Sequence, residues 1–232
     1  MTESNKKPLI IWDFDGVLSD SEKLWAQVWR DLLKKEKNIV LTPEQELKWL
    51  IGIADKEKKK NLEQFLSLTL DESFMAKINE GEIYMGTHFM KPMPGVEDVL
   101  ADTNFNHCIA TGATREQQEW KMKNLSWLKK YITMENIFTV DMVAHGKPAP
   151  DLFLFAAKAK GYNTKDCVVV EDSLHGMLAA KEAKIKCISF VGAEGNNTES
   201  YRQKCQTTGV VAICDTMPKL HQTLQTLFSI KS

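Results

Sequence analysis

Asp13 and Asp15 stand two residues apart at the end of an apolar run, Ile10-Ile11-Trp12-Asp13-Phe14-Asp15-Gly16. In an extended segment side chains two apart share a face, so both carboxylates point into one site. Neighbouring carboxylates repel unless a cation lies between them. Hard oxygen donors suit magnesium, and such an ion would draw the oxygens of a phosphoryl group to the same spot. Gly16 lets the chain turn away sharply. Taken alone, the pattern fits a surface turn equally well.

Three further segments carry compatible chemistry. In Cys108-Ile109-Ala110-Thr111-Gly112-Ala113-Thr114, an apolar run delivers the Thr111 hydroxyl and Gly112 to the start of a helix. Thr114 and Gln117 have the spacing of a capping box, which sets backbone N–H groups and the positive end of a helix dipole near Thr111 as a phosphate cradle. The same pattern also occurs as plain α/β architecture. In Gly146-Lys147-Pro148-Ala149-Pro150-Asp151, the proline holds Lys147 in extended backbone. Such a lysine is either a fixed positive charge for phosphoryl oxygens and a nucleophile, or a solvated side chain before a helix. In Val168-Val169-Val170-Glu171-Asp172-Ser173, Asp172 completes the oxygen shell of an ion, with Glu171 as a further ligand or a partner behind it. Helix N-capping by Asp172 or Ser173 is the other use of that segment.

The elements that must position these groups follow from hydrophobic patterning. Residues 9–14, 108–110, 137–140, 167–170, 188–191 and 210–214 form short apolar runs without clean alternation, as parallel strands buried on both faces do. Helical patterns at 115–125, 150–160 and 174–184 separate the later runs. The alternation predicts an α/β fold with a Rossmann-like, doubly wound parallel sheet, whose ligands bind at the carboxyl ends of the strands. Between the first two runs lies a stretch of roughly eighty residues that reads as helices throughout. Thr42-Pro43-Glu44-Gln45 marks one helix start, and Pro92-Met93-Pro94-Gly95 marks the return. The expected division is an α/β core of residues 1–19 and 91–232 with an inserted helical domain of residues 20–90.

With 30 basic and 31 acidic residues the chain has no general attraction for nucleic acid or an anionic membrane, so a small partner is expected. The polar start precedes an apolar run too short for a signal-peptide core or a membrane span, and a soluble, cytoplasmic protein is expected. The five cysteines form no CxxC pair and read as reduced thiols, several of them buried.

Taken in order, Asp-Phe-Asp-Gly-Val-Leu-Ser-Asp, Ala-Thr-Gly-Ala-Thr, Gly-Lys-Pro-Ala-Pro-Asp and Val-Glu-Asp-Ser-Leu-His-Gly resemble the four motifs of the haloacid dehalogenase-like superfamily. The resemblance spans nearly the whole chain. It implies a magnesium-dependent phosphatase in which Asp13 attacks phosphorus and Asp15 is the general acid and base. It further implies that Thr111, Gly112 and Lys147 hold the phosphoryl group, and that Asp13, Asp15, Glu171 and Asp172 form the metal site. The insertion is similar to the helical cap of the branch containing beta-phosphoglucomutase and sugar-phosphate phosphatases, which implies a small phosphorylated metabolite as substrate and a cap that closes over the site on hinges at residues 19–21 and 92–95.

Departures from relatives weigh the reading. True dehalogenases lack the second aspartate and phosphonate-cleaving relatives rely on a cap lysine, so Asp15 argues against both. Mutases of the branch carry a histidine where this chain has Trp25, and an arginine after a cap glycine where Gly52-Ile53-Ala54-Asp55 offers an aspartate. Hydrolysis is therefore expected ahead of a phosphosugar mutase. A phosphorylation-driven signalling module and an inactive scaffold are the non-enzyme alternatives. Residues 56–60 read as a solvated lysine-rich helix face, Trp29 and Trp49 as packing, Trp25 as the exception whose hinge-region position could face the cleft, and His145 and His175 as loop or supporting residues. Relatives usually carry a glycine near Lys184, so the end of that helix is an open point.

Overall fold

The computed structural model describes residues 6–51, 55–193 and 197–230. The chain divides into two compact units, Met1–Asp20 with Pro92–Ser232 and Ser21–Lys91.

The first unit is built on six parallel strands, β1 Leu9–Trp12, β2 Asn106–Thr111, β3 Ile137–Thr139, β4 Cys167–Glu171, β5 Lys186–Phe190 and β6 Ala212–Cys214. Their order in the sheet is β3-β2-β1-β4-β5-β6. The chain thus lays down one half of the sheet outward from β1, then returns to β4 and builds the other half. The carboxyl ends of β1 and β4 flank the point where the winding reverses, the position at which open α/β sheets leave a crevice. All four residues of β1 are fully buried, which explains its unbroken apolar run. One face of the sheet joins Leu9, Ile11, Cys108, Cys167 and Val169 to Phe153, Ala156, Met177 and Ala180 in a single core cluster. The five cysteines are free and buried. No helix among the described residues is long and apolar enough to cross a membrane.

The second unit consists of α1 Glu22–Lys37, α2 Pro43–Trp49, α3 Asp55–Leu66 and α4 Glu72–Phe89. Thr42 caps α2 in a full capping box with Gln45 and with Pro43 in the first turn. Helices α1 and α4 approach closely at Gly81, where a Cβ would lie 2.6 Å from Val28 Cγ1. Trp29 packs on Phe74 with ring centroids 6.1 Å apart, and Trp49 on Phe65 at 5.5 Å. Trp25 is also buried. The reading of residues 56–60 as a solvated face fails at Lys58, which is only 2% exposed. The Gly52-Ile53-Ala54 stretch weighed against the mutases lies outside the described residues.

The remaining α-helices among the described residues are α5 Val96–Leu100, α6 Arg115–Asn124, α7 Ser126–Lys129, α8 Asp151–Ala159, α9 Leu174–Glu182, α10 Glu199–Thr207 and α11 Met217–Leu227. Helix α9 ends in a Schellman arrangement: the Lys184 N–H donates to Lys181 O at 3.0 Å and the Ile185 N–H to Ala180 O at 3.0 Å. That geometry puts Lys184 at φ 57°, in the left-handed region where a glycine would be free of Cβ strain. Helix termination survives the missing glycine, but at a conformational cost on the order of 1 kcal/mol. Lys184→Gly is therefore expected to raise stability by about 0.5–1 kcal/mol in denaturant unfolding, and a loss of stability would contradict the account.

In β2, His107 accepts a hydrogen bond at Nδ1 from Trp12 Nε1 (3.1 Å). Burial pushes the His107 imidazole down to about 4, against weaker opposing effects of Asp102. Its native value lies below the ordinary one, so the unfolded chain binds the proton more readily between about pH 6.5 and 4. This contribution to stability is fully present above that window and is lost as the pH falls through it. His107→Gln should flatten the pH dependence of the melting temperature over the same range. An unchanged slope would show that His107 does not carry it.

Candidate active site

Three strand ends and one loop meet at the carboxyl edge of the sheet. Beyond β1, Asp13 continues the ladder by donating its N–H to Val170 O at 2.9 Å, which sets it alongside Glu171 at the end of β4. The chain then turns tightly, with the Gly16 N–H on Ser19 O at 2.9 Å and the Leu18 N–H on Phe14 O at 3.0 Å. Gly16 is required there twice over: its φ is 78°, and a Cβ would lie 2.1 Å from Asp172 Oδ2.

Lys147, in the loop between β3 and α8, reaches into this edge. Its ammonium donates to Asp13 Oδ1 at 2.5 Å and to Glu171 Oε1 at 2.6 Å, with 9% of the side chain exposed. This excludes the solvated-lysine alternative. The Lys147–Pro148 peptide is cis. Glu171 is held from its other oxygen, Oε2, by the Ser173 N–H at 2.7 Å. Ser173 Oγ accepts from the Gly176 N–H at 3.0 Å and caps α9, so the N-cap role falls to Ser173 and leaves the Asp172 side chain to the site.

Asp13, Glu171 and Asp172 are all buried, and a carboxylate oxygen from each lies within 4.8 Å of the others. Burial pushes the Asp13 carboxyl up to about 7; Lys147 opposes this, while Glu171 and Asp15 push in the same direction as burial. For Lys147, burial acts to lower the ammonium, but Asp13 and Glu171 override it and raise the group above its ordinary value. Asp13, Glu171 and Asp172 bring carboxylate oxygens together in an all-oxygen donor set. That chemistry fits a hard divalent cation.

Thr111 is buried at the end of β2, and its Oγ1 accepts from the Ala113 N–H at 3.1 Å. Thr114 and Gln117 form the expected capping box at the start of α6. Gly112 is exposed, and a Cβ there would meet nothing within 4 Å, so sterics alone do not require it. His145 is 76% exposed on the side chain and pairs with Asp151, and His175 is exposed; neither enters the cluster.

Asp15 departs from the expected arrangement. Its carboxylate does not join the buried acidic cluster; both oxygens face Lys121 of α6, at 2.8 and 2.6 Å from Nζ. The physical reason is that this ammonium, only 5% exposed on the side chain, supplies the counter-charge 106 residues away along the chain. Sequence reasoning missed Lys121, although Met122 and Leu125 mark a buried helix stripe that also contains Gln118 and Lys121. It also missed Tyr201 of α10, whose hydroxyl donates to the Asp172 backbone carbonyl. No local pattern announces that contact.

Gly176 shows how tightly Glu171 is seated: a Cβ would lie 1.8 Å from Glu171 Oε1 and 2.0 Å from Cδ. In an open helix, Gly→Ala gains about 1 kcal/mol. Here Gly176→Ala is expected to destabilise by roughly 1–3 kcal/mol, because the methyl displaces the partner of Lys147 and Ser173. Chemical denaturation checks the sign, and a more stable variant would contradict the geometry.

A family model described as haloacid dehalogenase-like hydrolase matches residues 10–190. Among curated proteins, the chain is 27% identical over 184 residues to a phosphorylated carbohydrates phosphatase of Thermotoga maritima, covering 77% of this chain and 82% of that protein. It is 22% identical over 204 residues to hexitol phosphatase B of Escherichia coli K12, covering 81% and 85%. Among solved structures, a conserved haloacid dehalogenase-like protein of unknown function from Agrobacterium tumefaciens superposes with a TM-score of 0.84 at 28% identity, covering 96% of this chain and all of that one. The chain thus belongs to the haloacid dehalogenase-like hydrolase family.

Proposed function

We propose that the chain hydrolyses a small phosphate monoester, most simply a sugar phosphate or a related metabolite, through a phosphorylated Asp13. The observation that carries this reading is the Lys147 ammonium bridging Asp13 and Glu171 beside Asp172, buried at the switch point of the sheet. Asp13, Glu171 and Asp172 would hold a magnesium ion, which when bound neutralises the phosphoryl oxygens and favours the carboxylate form of Asp13.

The steps are carried by the chain's own residues. A carboxylate oxygen of Asp13 attacks phosphorus in line with the leaving oxygen, and protonated Asp15 gives its proton to that oxygen, which is too basic to depart unaided. Asp15, now a carboxylate, then takes a proton from the water that attacks phosphorus of the aspartyl phosphate. The P–O bond to Asp13 breaks, and phosphate leaves. Lys147 remains protonated throughout, already within reach of Asp13 and so placed to balance charge on the equatorial oxygens. Thr111 accepts from the Ala113 N–H, which leaves its own O–H to donate to a phosphoryl oxygen. Trp25, standing where mutases carry a histidine, favours hydrolysis over phosphoryl return to a sugar.

The test is phosphate release from a panel of small phosphate monoesters. Release should need magnesium, stop on chelation, and fall below detection in Asp13→Asn, with the fold intact by circular dichroism. Release that persists in the variant would remove Asp13 as the nucleophile.

A further inference from the structure

We propose that Lys121 is a positioning residue for Asp15, an inference that rests on the phosphatase reading above. Its ammonium contacts both oxygens of the Asp15 carboxylate, at 2.8 and 2.6 Å, and its side chain is 5% exposed. The same ammonium lies 5.0 Å from the centroid of the fully buried Phe14 ring, between the two motif aspartates in sequence. It is therefore fixed by an aromatic face as well as by charge.

Helix α6 sets this reach. Thr114 anchors its first turn by the capping box, and Lys121 lies two turns on, in the buried stripe with Gln118, Met122 and Leu125. A helical side chain leans towards its own N-terminus, here towards the carboxyl edge of the sheet where β2 hands over to α6. The lysine stem is thus covered by protein while its head meets the carboxylate. Lys123, two residues on, falls on the exposed side of the same helix.

Asp15 needs such a clamp because both its strokes demand direction. In the first step its O–H must point at the leaving oxygen, and in the second its carboxylate must receive the proton of the attacking water. Proton transfer works over one hydrogen-bond length, so a freely rotating carboxyl would spend part of its time misdirected. The pair with Lys121 fixes the carboxyl plane. Lys121 itself gives up no proton: the proton lost by Asp15 goes to the alkoxide, and the one regained comes from water.

The experiment compares wild type, Lys121→Met, Lys121→Arg, Asp15→Asn and the Asp15→Asn, Lys121→Met double variant on the best ester, with circular dichroism on each. Lys121→Met should lower kcat by about 10–100-fold with KM within about threefold, and Lys121→Arg should recover part of the loss. In the Asp15→Asn background, Lys121→Met should cost nothing further, because its effect passes through Asp15. Three results would overturn the proposal: an unchanged kcat in Lys121→Met, an equal fold-loss in both backgrounds, or a raised KM at constant kcat. If Lys121→Met fails to fold, Lys121→Arg decides, since a guanidinium pairing with Asp15 retains activity in the wild-type background and a role unrelated to that carboxylate does not. Failure of the phosphatase reading looks different: wild type itself then releases no phosphate, and the role assigned here falls with it.

Discussion

The whole site depends on burying negative charge at the edge of an apolar sheet. Asp13, Glu171 and Asp172 would repel one another out of a low-dielectric interior if nothing balanced them. Lys147 supplies balance from the chain itself, with one ammonium on two of the three carboxylates. Removing one partner of such a group costs more than the group contributes as a whole, because an uncompensated charge stays behind. The arrangement therefore constrains several distant parts of the sequence at once.

Those constraints are visible in small residues. Gly16 has no Cβ because Asp172 occupies that space, and Gly176 has none because Glu171 does. Ser173 takes the capping of α9, so the preceding carboxylates are released from it. Tyr201 adds a hold on the backbone of Asp172 from α10. The result is two charge centres served by separate lysines, Lys147 beside Asp13 and Glu171 and Lys121 beside Asp15. Keeping them apart gives the two aspartates of one motif different surroundings.

Much of this was legible in the chain because the responsible signals are local. Buried parallel strands leave apolar runs, capping boxes leave Thr-x-x-Gln, and a turn needing positive φ leaves Gly16. Strand limits were less so: β2 extends to Asn106 and β6 starts only at Ala212, since ladder ends are set by neighbouring strands. The contents of the acidic cluster were readable except for Asp15, whose partner comes from a polar helix where Lys121 and Lys123 look alike. Lys58 and Tyr201 were hidden for the same reason, because burial and long-range partners belong to the tertiary fold. At Lys184, backbone hydrogen bonding imposed a left-handed residue on a sequence without the glycine that suits it.

The central claim, a covalent phosphoryl group on Asp13, is tested most directly by acid-quenching the enzyme within the first turnover and mapping the modified peptide by mass spectrometry. The account predicts a phosphoryl adduct on Asp13 that appears with substrate and magnesium and decays as phosphate is released. Phosphate release with no adduct on Asp13, or with the adduct on another residue, would contradict it.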